Sequence, residues 1–416
     1  MRKKKILAGL LAFSLSVSIF FQTGVSAAEE TAPAAENTIA TNDISGWPAG
    51  PEITSTAAVV MEESTQTILY SKNMDQALYP AAAVKIMTIL VCLENSSLTD
   101  QVTMTETGVS GVTDGGASIS AQLDEVLTME QCLYAIMLVS ANDVALQVAE
   151  HVGGSVDGFV EMMNQKAQSL GCTNTLFTNP TGLPDEAQHI TAYDMALIMK
   201  AAMQNEDFRT IAAATSYTIP ATNVSGGERA LTNNFSLLTS TSPYYYQGCL
   251  GGKEGATSAA GSTLVCTAER NDMTLIAVIL QGTDQQTDSE AVTLLDYGFN
   301  NFQKLSLGEN DFNLKSGGTV VIPSTASETD IKVSDTEGEN GVSRQYLYHG
   351  VQVGTAVLED VEAEDTAAVT RGQENLQAAY DFTANKSLIP YYVIGGVGGV
   401  LFLLLLVLMV KVIRKR

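Results

Sequence analysis

The chain predicts an α+β fold: one antiparallel sheet built from both ends of a domain, with a helical cluster packed on it. A small all-β domain and a C-terminal transmembrane helix follow. Three observations lead there. Short apolar runs of strand type lie near residue 60 and again across 262–281, and the stretch between them has mostly helical periodicity. Beyond about Leu305 the helical pattern stops, and short strands alternate with Gly and Ser turns. Residues 391–410 form an uncharged apolar run of 20 residues, followed by a basic tail.

The elements follow in chain order. Segments 57–61 and 67–70 flank a polar turn and read as a hairpin. Residues 81–93, 129–138, 143–152, 156–170 and 191–203 read as helices, the last with Thr191 as a plausible cap. Strands return at 262–267 and 274–281, joined by Arg270, Asn271 and Asp272, and 289–302 closes the unit as a helix. In the β domain, 319–322 and 346–348 are the clearest strands.

The termini predict export and anchoring. Arg2, Lys3, Lys4 and Lys5 precede an uncharged, largely apolar stretch and the small-residue pattern Val25-Ser26-Ala27, so 1–27 reads as a secretory signal peptide. Residues 28–46 have few large apolar side chains and read as a flexible stalk. The expected domains are then 47–304 and 305–369, with a linker at 370–388, a membrane helix at 389–410 and a tail at 411–416. The basic tail predicts a cytoplasmic C-terminus and an ectodomain outside.

The formal net charge is −24, and the terminal segments hold none of the acidic residues. The external part is therefore more acidic than the whole, which argues against nucleic acid as a partner. Cys92, Cys132, Cys172, Cys249 and Cys266 show no metal spacing, and Cys92 and Cys132 fall in apolar helical patterns, as buried free thiols do. His151, His189 and His349 are scattered. No metal or cofactor is expected.

Three short segments carry the chemistry. The first runs from Tyr79 to Thr88 and contains Ala82 and Lys85; the second is Ser140-Ala141-Asn142; the third is Lys253-Glu254-Gly255, just before a strand. Their order and placement resemble the Ser-x-x-Lys, Ser-x-Asn and Lys-Thr-Gly elements of penicillin-recognising enzymes. Asn179-Pro180-Thr181-Gly182-Leu183, then Thr191-Ala192-Tyr193-Asp194, narrow the resemblance to the serine-type D-alanyl-D-alanine carboxypeptidases, the low-molecular-mass penicillin-binding proteins of peptidase family S11. It runs from about residue 57 to 302. It implies a penicillin-binding-protein/β-lactamase-like fold and a peptidoglycan stem peptide, or a related wall ligand, as partner.

The resemblance also implies roles. A serine one helical turn before Lys85 would be the nucleophile and Lys85 its base. Ser140 would relay a proton, Asn142 would fix the lysine, and Lys253 would attract the substrate carboxylate beside residues 254 and 255. The departures are Ala82 for that serine, Val84 for a threonine and Glu254 for the third motif's threonine. A methyl group cannot be acylated. A carboxylate at 254 facing a substrate carboxylate about 4 Å away would cost about 4 kcal/mol at an effective dielectric near 20. Turned away, Glu254 would cost far less, and strand alternation permits either.

The expected protein is a catalytically inactive family member that binds peptidoglycan or serves as a scaffold for envelope proteins. The alternative is an active serine-type D-Ala-D-Ala carboxypeptidase using another nucleophile. With Glu254 facing the ligand, Ala82→Ser alone is expected to restore little acylation, and the double change with Glu254→Thr more than the sum of the two.

Overall fold

A computed structural model of the chain describes residues 38–112, 116–307, 314–338 and 341–358. The first domain begins with β1 (Ala57–Glu62) and β2 (Ile68–Lys72), then α1 (Val84–Asn95), β3 (Gln101–Thr103), α2 (Glu106–Ser110) and β4 (Val126–Thr128). Next come α3 (Met129–Val139), α4 (Asn142–Gly153), α5 (Val156–Ser169), α6 (Ala192–Gln204) and α7 (Glu206–Ala212). β5 (Ser216–Ile219), β6 (Arg229–Thr232), β7 (Cys249–Thr257), β8 (Gly261–Arg270), β9 (Met273–Gly282) and α8 (Asp284–Asn301) complete it.

The main sheet has the order β2-β1-β9-β8-β7 with every pairing antiparallel, so both ends of the domain meet between β1 and β9. Side chains alternate across it. Val59, Met61, Val265, Ile276, Val278 and Leu280 face the helical cluster. Val60, Leu264, Cys266, Ala277 and Ile279 face the other way, onto Ala291, Leu294 and Leu295 of α8. Helix α1 is buried without interruption from Val84 to Cys92, because other helices and the sheet surround it. That central position gives Lys85 an environment no surface helix would.

A second sheet, ordered β10-β11-β14-β13-β12, follows: β10 (Phe302–Ser306), β11 (Leu314–Pro323), β12 (Ile331–Gly338), β13 (Gly341–Tyr348) and β14 (Val351–Leu358). Trp47 joins the two sheets. Its ring lies 5.1 Å from Phe302 and 6.0 Å from Tyr348, and its indole N–H donates to the Leu69 carbonyl at 2.8 Å. Lys304 reaches the buried Glu62 at 2.9 Å.

Three sequence expectations need correction. Residues 38–46, read as part of a flexible stalk, are seated on the domain: Ile39 is buried and bridges to Lys72, and Thr41 is buried in a short 3-10 turn. Two isoleucines, Ile39 and Ile44, in a polar stretch are too little apolar signal to reveal this. The helix expected across 289–302 ends at Asn301, and Phe302 already belongs to β10, where it packs on Trp47. The first turn of the helix expected at 81–93 is 3-10, with Ala81 at φ +47, a left-handed backbone unusual for alanine. The signal peptide and the membrane helix expected at 389–410 lie outside the described residues. Among the described residues no helix is long and apolar enough to cross a membrane.

Candidate active site

Lys85, at the start of α1, is 2% exposed. Its Nζ donates to Asn142 Oδ1 at 2.7 Å and to the Thr181 carbonyl at 2.5 Å. Neither partner is an acid. Burial, and then the positive charge of Lys253, hold the amine's pKa well below the ordinary lysine value. The site thus favours a neutral amine, the form a general base needs.

The partners are placed by short connections. Ser140 ends α3 in a left-handed conformation, φ +59, and Asn142 begins α4 two residues later, its own N–H bonded to the Ala117 carbonyl at 2.7 Å. The Asn179–Leu183 turn supplies the other acceptor. Asn179 Oδ1 accepts from the backbone N–H groups of Thr181 and Gly182, and its amide donates to the Leu183 carbonyl. Thr88 of α1 donates to the Pro180 carbonyl at 2.8 Å. Gly182 is required here: it has φ +80, and a Cβ on it would fall 1.8 Å from the Ala81 carbonyl oxygen.

Ala82 presents a methyl group, 9% exposed, against β7. A Cβ on Gly255 would lie 2.4 Å from the Ala82 Cβ, so glycine lets the strand pass this close. Lys253 stands opposite Val265, on the side of the helical cluster, and is 6% exposed. Burial pushes its pKa down to about 8, against the attraction of Glu254. A cavity of about 240 Å³ is lined by Ser140, Asn233, Phe235, Lys253, Glu254 and Gly255. Its floor offers a cation suited to a carboxylate.

Glu254 stands opposite Leu264, and Leu264 belongs to the α8 side of the sheet. Of the two orientations the sequence allows, the structure therefore has the one turned from the helical cluster. Its carboxyl lies on the same face as Asp288 of α8, and the two line one cavity there. Burial, and next the charge of Asp288, push its pKa up to about 7.

The structure thus joins Lys85 with Asn142, sets Ala82 against Gly255, and places Ser140, Lys253, Glu254 and Gly255 around one cavity. Lys85 bonds Asn142 and Thr181; no bond to Ser140 is formed. The role of Thr181 went unread although it lies within the quoted Asn179–Leu183 stretch, because it acts through its backbone carbonyl. Asp288 left no sequence signal; only the strand register reveals it.

The pattern of the D-alanyl-D-alanine carboxypeptidase family, peptidase S11, matches residues 45–284. The chain belongs to this family. Among the D-alanyl-D-alanine carboxypeptidases, DacF of Bacillus subtilis (strain 168) is 30% identical over 337 residues, spanning 75% of this chain and 84% of DacF. DacB2 of Mycobacterium tuberculosis is 33% identical over 250 residues, 58% of this chain and 81% of DacB2. The crystal structure of penicillin binding protein 5 from Haemophilus influenzae superimposes with a TM-score of 0.63 at 26% identity, covering 75% of this chain and 99% of that one. Penicillin binding protein 6B from Escherichia coli has the same TM-score at 24% identity, over 76% and 98%. The carboxypeptidase family's α+β fold, of penicillin-binding-protein/β-lactamase type, is therefore this chain's fold.

Proposed function

We propose that the chain is a non-acylating member of the D-alanyl-D-alanine carboxypeptidase family that keeps the cleft as a binding site for a peptidoglycan stem peptide or related wall ligand. In this reading it acts as a peptidoglycan-binding or scaffold protein of the cell envelope. The observation that carries the proposal is the methyl group of Ala82, packed on Gly255 one turn before Lys85. The base and its partner Asn142 remain, yet the side chain whose proton the base would take has no oxygen. Ser140 is a poor substitute. It sits on the α3–α4 turn, and Lys85 directs its bonds to Asn142 and Thr181 instead. The purified full-length protein should form no covalent adduct with a β-lactam, as read by intact-mass spectrometry after long incubation. A stoichiometric mass gain would overturn this reading in favour of an active serine-type carboxypeptidase.

We also propose that residues 389–410 anchor the protein, with the folded part outside the cell membrane and the tail at 411–416 in the cytoplasm. The basic tail and the signal-like N-terminus support this. Protease added to intact, wall-stripped cells should remove the folded part. Full protection would refute the topology.

A further inference from the structure

Residues 116–121, between α2 and β4, form neither helix nor strand, yet they are fastened to the start of α4. Two neighbouring residues of α4 hold them. The Asn142 N–H donates to the Ala117 carbonyl at 2.7 Å. The Asp143 carboxylate accepts from the Ser118 hydroxyl at 2.7 Å, from the Ala121 N–H at 3.1 Å and from the Ile119 N–H at 3.3 Å. Asp143 is 2% exposed. The Ser118 hydroxyl accepts in turn from the Ser120 N–H at 2.8 Å, which closes the turn where Ser120 has φ +56. A buried donor stripped of its acceptor costs about 1–3 kcal/mol, so three donors on one carboxylate fix this loop firmly.

The loop reaches Lys85 through Asn142. The backbone N–H of Asn142 is held by the loop, and its side-chain Oδ1 accepts from Lys85 Nζ at 2.7 Å. Asn142 is the first residue of α4 and Asp143 the second, so the loop is clamped to the same turn that aims the Asn142 amide. We infer that Asp143 is a positioning residue of the cleft: by clamping residues 117–121 on the first turn of α4, it fixes the Asn142 side chain on Lys85 and keeps the amine dry.

The role is one of place, not of charge. Lys85 is governed by burial and next by the positive charge of Lys253 from β7; among the described residues no carboxylate acts on it. α4 and the Asn179–Leu183 turn offer the amine only the Asn142 amide oxygen and the Thr181 carbonyl. Loss of the clamp admits water, which favours the charged amine, so the pKa of Lys85 rises toward the ordinary lysine value. The inference concerns the lysine and does not depend on whether residue 82 can be acylated.

NMR of the full-length protein in detergent, isotope-labelled at lysine Cε, tests this by following the ionisation of Lys85, whose signal is identified by its loss in Lys85→Met. Asp143→Ala should raise the pH at which Lys85 titrates by about one unit or more, and should speed hydrogen exchange at the Asn142 N–H about tenfold. Asp143→Asn should move the titration less than half as far, because its amide oxygen still accepts from Ser118 and Ala121. Glu290→Ala removes a buried acceptor from Thr54 and Ser55 on the α8 side, and should lower the melting temperature without moving Lys85. If Asp143→Ala does not fold, Ser118→Ala, which removes one donor of the three, should move the titration in the same direction by about 0.3 pH unit. Lys85 unmoved in folded Asp143→Ala, or in Ser118→Ala where Asp143→Ala is unfolded, overturns the proposal. So does an equal movement in Asp143→Asn, which would mean that the charge acts directly, or in Glu290→Ala, which would make the effect one of stability alone.

Discussion

Ala82→Ser should raise the rate of acylation by a β-lactam at least about a thousandfold over the parent protein, and Glu254→Thr added to it should change that rate less than about threefold. Loss of a nucleophilic serine in a well-formed site costs on the order of a millionfold, so a thousandfold return allows for an imperfect cleft. The step needs a serine oxygen to add to the lactam carbonyl while Lys85 takes its proton, after which the ring C–N bond opens and the nitrogen is protonated. Lys85 is already depressed by burial and by Lys253, and Asn142 already holds it. Taken alone, the sequence favours the opposite result, with Glu254 repelling the lactam's carboxylate. The register removes that objection: Glu254 stands opposite Leu264, on the face where it shares a cavity with Asp288. Stopped-flow or gel-based labelling of the four proteins decides the matter. A rate for Ala82→Ser indistinguishable from the parent, rescued only by the double change, would show that Glu254 acts on the ligand after all.

The base adds a pH signature to that experiment. With its pKa lowered, Lys85 should lose its proton below the ordinary lysine range, so acylation of Ala82→Ser should rise with pH and level off earlier than a solvated lysine would allow. Lys253 works against this at high pH. With its pKa near 8, it loses the charge that attracts the ligand's carboxylate as pH rises further.

What could be read from the sequence was what repeats or what falls in a fixed order. The long helices α3 to α6 and the strands β1, β8 and β9 have clear periods, and the order of the three motifs foretold that Lys85 and Asn142 would meet. Short pairs such as β3 with β4 and β5 with β6 escaped, because three or four residues hold too little alternation. Contacts made by the backbone escaped too. The Thr181 carbonyl on Lys85 and the close passage of Gly255 by Ala82 depend on how the chain turns, not on side-chain type. Glu254 shows the limit most sharply. Alternation offers two faces, and only its pairing partner chooses one.

Glu254→Gln should leave stability nearly unchanged near pH 4 and raise it by about 2 kcal/mol at pH 8, a shift of several degrees in melting temperature. The folded carboxyl titrates at about 7, against an ordinary value of 4.5. Between those values the unfolded chain has released a proton that the folded chain retains, so stability falls as pH rises, and the loss is complete above the folded pKa. Below the ordinary value both states are protonated and the residue costs nothing. The whole interval would correspond to about 3 kcal/mol; partial exposure and the coupling of Glu254 to the neighbouring Asp288 reduce it. Glutamine keeps the size and can still donate to Asp288. It removes the attraction that Glu254 exerts on Lys253, which trims the gain further without reversing its sign, because burial outweighs that attraction at both residues. Thermal melts of both proteins from pH 4 to 9 test this. A gain of equal size at every pH would mean that packing, not ionisation, separates the two, and the raised pKa of Glu254 would not be the source of the effect.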